Sequence, residues 1–377
     1  MPAAARPIAG LAVRWAALSE LVPLYPLYAL LFLDTGLPAG QLSLLFGIWS
    51  VTGLLAEVPA GLLADRWSRR GVLALSGVLQ AAAFLLWTAA PSVETFAAGF
   101  VVWGIGGACS SGTAEALVHD GLAEVGAADC FARVNGRMTA AELLVQVPTA
   151  VAATALYGYG GYALVGWASV AVCLGAAALA LRFPEPARAT DADDDGGSLR
   201  DGLRLALRRR PLLAAVVAVA VVGGLDGMEE YFPVLAAERG VPAAAVPWAV
   251  LAVTLAGAAG AALGGRLSRP TGRCLAALLA GAGLGLVAAA VAAAPVALAT
   301  LAGAYGLYLG VLVAAEAELQ RRITGPYRAT ITSVAGVGIE LSSLLVFTAW
   351  ALGGPPALGL LVLAAVPLAG FGLRRRD

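Results

Sequence analysis

Five carboxylates fall inside apolar stretches long enough to cross a bilayer, where an ionised side chain is costly and by default a functional candidate. Glu20 is near the middle of the first stretch, beside Pro23, Tyr25, Pro26 and Tyr28. Asp226, Glu229 and Glu230 occupy the seventh at i, i+3 and i+4, a spacing that puts them on one face of an α-helix. Glu340 is central in the eleventh. No basic residue is expected at the depth of Glu20 or Asp226. Such groups can bind a cation or carry a proton, because a carboxyl taken out of water favours its neutral form. Tyr25 and Tyr28, with Trp49, Trp103, Tyr231, Phe232, Tyr305 and Tyr308, would suit apolar or cationic ligands; helix packing or an interfacial belt is the other reading of these rings. An anionic ligand would want a basic partner, and the spans offer none.

A second set of acids, Glu57, Glu115, Glu142, Glu316 and Glu318, lies nearer the ends that carry arginine, within reach of Arg66, Arg69, Arg137 or Arg328. Ion pairs closing an inner gate are expected there. Enzymatic chemistry finds no support. His119 beside Asp120 reads as a solvated helix end, and no nucleophile triad, metal spacing or nucleotide loop stands out. Cys109, Cys130, Cys173 and Cys274 form no CxxC pattern. No cofactor is expected and no metal site.

The elements that position these residues follow from composition. The chain is 60% hydrophobic and 13% charged, with mean hydropathy +0.84; a soluble domain carries roughly 25% charge. The first apolar stretch lacks a small-residue cleavage site and reads as a span, not a signal peptide. All 24 basic residues are arginine. Twenty-three of these fall in segments that alternate across the spans, and only Arg239 falls on the other side. That bias predicts an even number of spans with both termini in the cytoplasm of a bacterial inner membrane. Spans of about 20 residues are predicted over 10–33, 42–63, 72–90, 96–118, 138–157 and 162–182, then 211–235, 244–265, 274–293, 296–317, 329–352 and 356–373. The connection 183–210, with its run Asp191-Ala192-Asp193-Asp194-Asp195, divides a six-helix half (1–182) from a second one (211–377). Basic residues are spread along loops, so no nucleic acid is expected as a partner.

The halves read as repeats. Asp34-Thr35-Gly36-Leu37-Pro38-Ala39 has its echo 204 positions later in Glu238-Arg239-Gly240-Val241-Pro242-Ala243, and the same offset carries Gly61 onto Gly265 and Arg69 onto Arg273. Ordered matches at constant offset indicate duplication, and two parallel halves around a midplane site are a transporter architecture. Between the second and third spans runs Gly61-Leu62-Leu63-Ala64-Asp65-Arg66-Trp67-Ser68-Arg69-Arg70-Gly71-Val72-Leu73. It closely resembles the GxLaDrxGrkxxL signature of the major facilitator superfamily (MFS), with Ser68 in place of the usual glycine. A degenerate copy, Gly265-Arg266-Leu267-Ser268-Arg269, occupies the second half, and Pro184-Glu185-Pro186 is similar to a short acidic motif that many members carry after the sixth helix. The resemblance implies an all-α fold of twelve helices in two pseudo-symmetric halves. It also implies a gate formed by Gly61, Asp65, Arg66, Arg69 and Arg70, where the Asp65 carboxylate caps a helix of the other half and pairs with arginines, a latch that breaks in the alternate state. Glu185 joins the inner-gate pairs. Two signatures of the family's drug/proton antiporters are missing: the fourth span has no arginine, and the fifth has only Val147-Pro148-Thr149 where a Gly-Pro pair is usual.

The expected function is secondary transport of a small amphipathic or cationic molecule, exported against protons, by a monomer whose other partner is membrane lipid. Uptake of a neutral solute by symport or facilitated diffusion is the second reading; a scaffold or sensor that transports nothing is the third, and the intramembrane acids argue against it. The arginine asymmetry makes one direct forecast. On a cysteine-free background, an impermeant thiol reagent added outside should label Gly160→Cys and leave Asp194→Cys unlabelled; the reverse pattern would refute the topology.

Overall fold

The computed structural model describes residues 1–185, 209–266, 270–323 and 328–374. Most of the expected linker, and Leu267-Ser268-Arg269 of the second motif copy, lie outside the described residues, as does the side chain of Arg328. Among the described residues the chain is helical without strands. Contacts group it into two compact units: Met1–Pro38 and Leu44–Thr190 with Ala243–Trp248, and Ala39–Ser43 and Asp191–Pro242 with Ala249–Asp377.

The first unit contains α1 (Ala5–Glu20), α2 (Tyr28–Asp34), most of α3 (Ala39–Arg66), α4 (Arg69–Ala89), α5 (Val93–Ser110), α6 (Thr113–Glu124) and α7 (Phe131–Ala180). The second contains α8 (Arg210–Gly224), α9 (Phe232–Glu238), most of α10 (Val246–Arg266), α11 (Gly272–Val291), α12 (Val296–Arg322) and α13 (Arg328–Gly372). Nine helical runs among the described residues are long and apolar enough to cross a membrane. Two of them break where turns were expected, α7 at Gly160 and Gly161 and α13 at Gly354, where Gly161 and Gly354 adopt positive φ. Together with the broken first stretch, this is consistent with twelve spans.

The structure corrects the sequence reading at three spans. The first is not one helix over 10–33. α1 stops at Glu20 and helix resumes at Tyr28, because Pro23 and Pro26 remove amide donors and clash with the preceding turn. The seventh is interrupted too: α8 ends at Gly224, Leu225–Tyr231 is a tighter 3₁₀ segment, and α9 begins at Phe232. Glu20 to Gly224 and Tyr28 to Phe232 are each 204 positions, so the two breaks are the same break in both repeats. Both upper segments close on a left-handed glycine, Gly36 and Gly240. The fourth span likewise ends early, because Gly112 (φ +65°) turns the chain and leaves Glu115 on the separate helix α6.

Packing differs between the units. In the first, Tyr28, Phe32, Phe46, Trp87, Phe100 and Trp103 form a contiguous aromatic core. The Trp87 indole, wholly buried, donates to the Phe96 carbonyl at 3.2 Å and lies over Gly99, where a Cβ would strike the ring. The second unit uses small residues to bring backbones together, as membrane helices do when lipid is as apolar as leucine. Gly260 and Gly264 of α10 lie against the Gly306 and Gly310 backbone of α12. Gly260→Ala should therefore lower the thermal midpoint of the detergent-solubilised protein, an overpacking cost of about 1–3 kcal/mol. Gly303→Ala, where an added Cβ meets nothing, should hold or raise it; equal midpoints for the two would dismiss the close contact.

Candidate functional site

The break after Glu20 opens a cavity of about 340 Å³ inside the first unit. Trp15, Ser19, Glu20 and Tyr25 contribute from α1 and the break, Ser76 and Gln80 from α4, Glu115 from α6, and Asn135, Thr139 and Glu142 from α7. Three carboxylates thus share one cavity, with no arginine among its described lining residues. Glu115 and Glu142 were expected to pair with arginine at the inner gate; instead they line the same space as Glu20, and Arg137 does not border it. The break itself is held by the other half of α7: the Leu24 amide donates to Ser169 Oγ at 3.0 Å, and that hydroxyl donates to the Val165 carbonyl at 2.9 Å. Tyr25 stacks on Trp103 (centroids 5.7 Å, 20°), which stacks in turn on Trp49 (5.3 Å, 26°). Tyr28 is 4% exposed and belongs to the aromatic core.

In the second unit the 3₁₀ geometry changes which acids meet. Residues at i and i+3 eclipse in a 3₁₀ helix, so Asp226 and Glu229 align along the segment. Tyr305 of α12 lies 3.0 Å from Asp226 Oδ1 and 3.2 Å from Glu229 Oε2 through its hydroxyl. Its neighbour Tyr308 donates to the Val222 carbonyl at 2.9 Å, with the Gly223 carbonyl at 3.3 Å, satisfying acceptors at the broken end of α8. Glu340 is exposed on α13, and its backbone carbonyl accepts from Ser343 Oγ at 2.7 Å. Glu316 is exposed on α12.

The gate motif is mostly helix. α3 runs through Arg66 and α4 begins at Arg69, leaving only Trp67 and Ser68 between. Arg69 reaches Asp65 at 3.2 Å and also Asp120, the residue read as a solvated helix end. The residue that caps here is Glu185. It accepts from Ser68 Oγ at 2.7 Å and from the Arg69 and Arg70 amides at 2.8 and 3.3 Å, with the Arg70 guanidinium at 3.4 Å. Ser68 Oγ in turn accepts from the Gly71 amide at 3.0 Å, so the serine that replaces the signature glycine is an N-cap. Gly61 is exposed on α3. Glu57 accepts from Ser111 Oγ at 2.8 Å. On α12, Glu318 pairs with Arg321 and Arg322, and Arg322 also donates to the Pro211, Gly372 and Arg374 carbonyls at 3.2, 2.7 and 3.1 Å. Sequence reasoning missed Asp120 and Arg322, and read Tyr305 only as a ring for an apolar or cationic ligand, not as a partner of the acids. Ser68 was legible as a capping residue ahead of a helix.

The sequence profile of the Major Facilitator Superfamily matches residues 10–347. No curated protein matches the chain. Among solved structures, the inward-facing, occupied form of a bacterial homologue of the human lysosomal transporter Spinster superposes with a TM-score of 0.75 at 15% identity, covering 99% of this chain and 96% of the other. A mutant of the nucleoside transporter NupG gives 0.71 at 12% identity, covering 96% and 98%. At these identities the likeness is one of fold.

The cap on α4 is testable by stability. Glu185→Ala removes the acceptor of Ser68 and of two backbone amides, and should cost roughly 1–2 kcal/mol, read as a lower thermal midpoint in detergent. Glu185→Gln, which keeps acceptor oxygen but not charge, should fall between. An unchanged midpoint in the alanine variant would show that Ser68 alone suffices to cap this helix end.

Proposed function

Since this chain belongs to the major facilitator superfamily, a family of transporters and not of enzymes, we propose that it moves a small amphipathic or cationic molecule out of the cell in exchange for protons by alternating access. One observation carries the reading: the cavity where Glu20, Glu115 and Glu142 converge among uncharged Ser19, Ser76, Gln80, Asn135 and Thr139, with no basic residue among its described lining. Clustered carboxylates repel one another unless a cation or a proton sits between them, so the same lining serves substrate and coupling ion in turn. Trp15 and Tyr25 add aromatic faces for a cation. Glu20 and Asp226, one at each repeat's break, are assigned the coupling protons; Glu229, Glu230 and Glu340 are further acids of the transport path. Asp65, Arg66, Arg69 and Arg70 with Gly61 form the gate that opens and closes beneath it, backed by Glu57, Glu185, Arg137, Glu316 and Arg328. The protein is proposed to act as a monomer in a bacterial inner membrane with both termini cytoplasmic, its halves 1–182 and 211–377 joined by the linker 183–210. Uptake of a neutral solute is the second reading, favoured by the serines and amides of the same lining.

Reconstituted vesicles with and without a pH gradient, tested with lipophilic cations and with nucleosides, separate the two. Glu20→Gln and Asp226→Asn mimic the protonated forms and should abolish gradient-driven movement of the cations while sparing exchange. If both variants still drive cations uphill with normal pH dependence, neither residue carries the coupling proton.

A further inference from the structure

The Tyr305 hydroxyl has one proton and lies within hydrogen-bond distance of two carboxylates, 3.0 Å from Asp226 and 3.2 Å from Glu229. Those acids differ in access: Glu229 is exposed, whereas Asp226 is partly buried. The ring is fixed. Phe232 stands edge-on to it at 4.9 Å, Tyr308 stacks at 5.8 Å, and Gly257 of α10 leaves the space that the ring occupies. Tyr308 cannot substitute, because its hydroxyl serves the Val222 and Gly223 carbonyls.

We propose that Tyr305 relays the proton between Glu229 and Asp226. The inference rests on the assignment of Asp226 to coupling. In the inward-going step the Tyr305 O–H bond breaks as its proton passes to Asp226 Oδ1. The Glu229 Oε2–H bond breaks as a proton re-forms the phenol. Tyr305 is neutral before and after, the negative charge moves from Asp226 to Glu229, and no other reactant is consumed. Release runs the same bonds in reverse. Among the described residues, the ionisable groups on the same segment and on the elements packed against it include Glu230 and Tyr231, Tyr308 and Glu316 on α12, and Glu340 on α13, whose Ser342 and Ser343 lie against Gly224 and Gly227. Transfer through a fixed phenol keeps the charge on one pair of residues throughout.

Time-resolved infrared spectroscopy of the full chain in phosphatidylcholine vesicles tests this without a substrate. After a rapid drop from alkaline to acidic pH, the protonated-carboxyl band absent from Asp226→Asn reports that residue. Tyr305→Phe keeps the ring and should leave the size of this band intact while slowing its appearance by about tenfold or more. Glu229→Gln should slow it comparably. A wild-type rate in Tyr305→Phe overturns the relay, as does a wild-type rate in Glu229→Gln should the phenylalanine variant fail to fold. If Asp226→Asn removes no band at all, the coupling assignment itself falls, an outcome distinct from failure of the relay.

Discussion

A backbone amide or carbonyl in hydrocarbon has no water to turn to, so a helix can be interrupted there only where protein supplies the missing partners. Both principal features of this molecule depend on meeting that condition. In the first unit, Ser169 receives the freed Leu24 amide; in the second, Tyr308 takes the carbonyls at the end of α8. Once the interruption is satisfied, the chain beside it can carry groups that an unbroken, lipid-facing helix could not, and Glu20, Asp226 and Glu229 lie at these points. The acids and the breaks are therefore one arrangement.

The repeats build different surroundings for that arrangement. In the first, Glu20 borders an open space shared with Glu115 and Glu142 and lined by hydroxyls and amides. In the second, the acids turn onto a single phenol held by packed rings. A cavity suits a group that must exchange ligands, and a fixed contact suits one that must pass a proton. The aromatic core beneath the first and the glycine-to-glycine packing in the second fit the same division: rigid walls around a space in one, closely apposed backbones in the other.

Much of this was legible in sequence where one residue type has one meaning. Arginine placement, the duplicated turn and the Gly61–Leu73 signature pointed to the fold, whereas Pro23 and Pro26 mark a first break across which one helix was expected. The second break carries no such mark, since Leu-Asp-Gly-Met-Glu-Glu-Tyr contains no proline. Hydropathy ran straight through Ser110-Ser111-Gly112, although such a cluster signals a turn, and so Glu115 was placed against arginine instead of in the cavity. Tyr305 could not have been matched to Asp226, 79 positions away, because α12 and the 3₁₀ segment meet only in the folded unit. Asp120 escaped for the same reason: Arg69 reaches it across 51 positions.

The shared offset of the two interruptions bears on how this gene can change. An α-helix turns about 100° per residue, so a single insertion between Ala5 and Glu20 would swing the carboxylate to another side of the helix, and the same holds between Arg210 and Gly224. Substitutions along these segments can be absorbed by lipid or by neighbours, but a change in length cannot. Length is thus more constrained than composition along these segments, and the interval from each break to Gly36 or Gly240 is the same in both repeats.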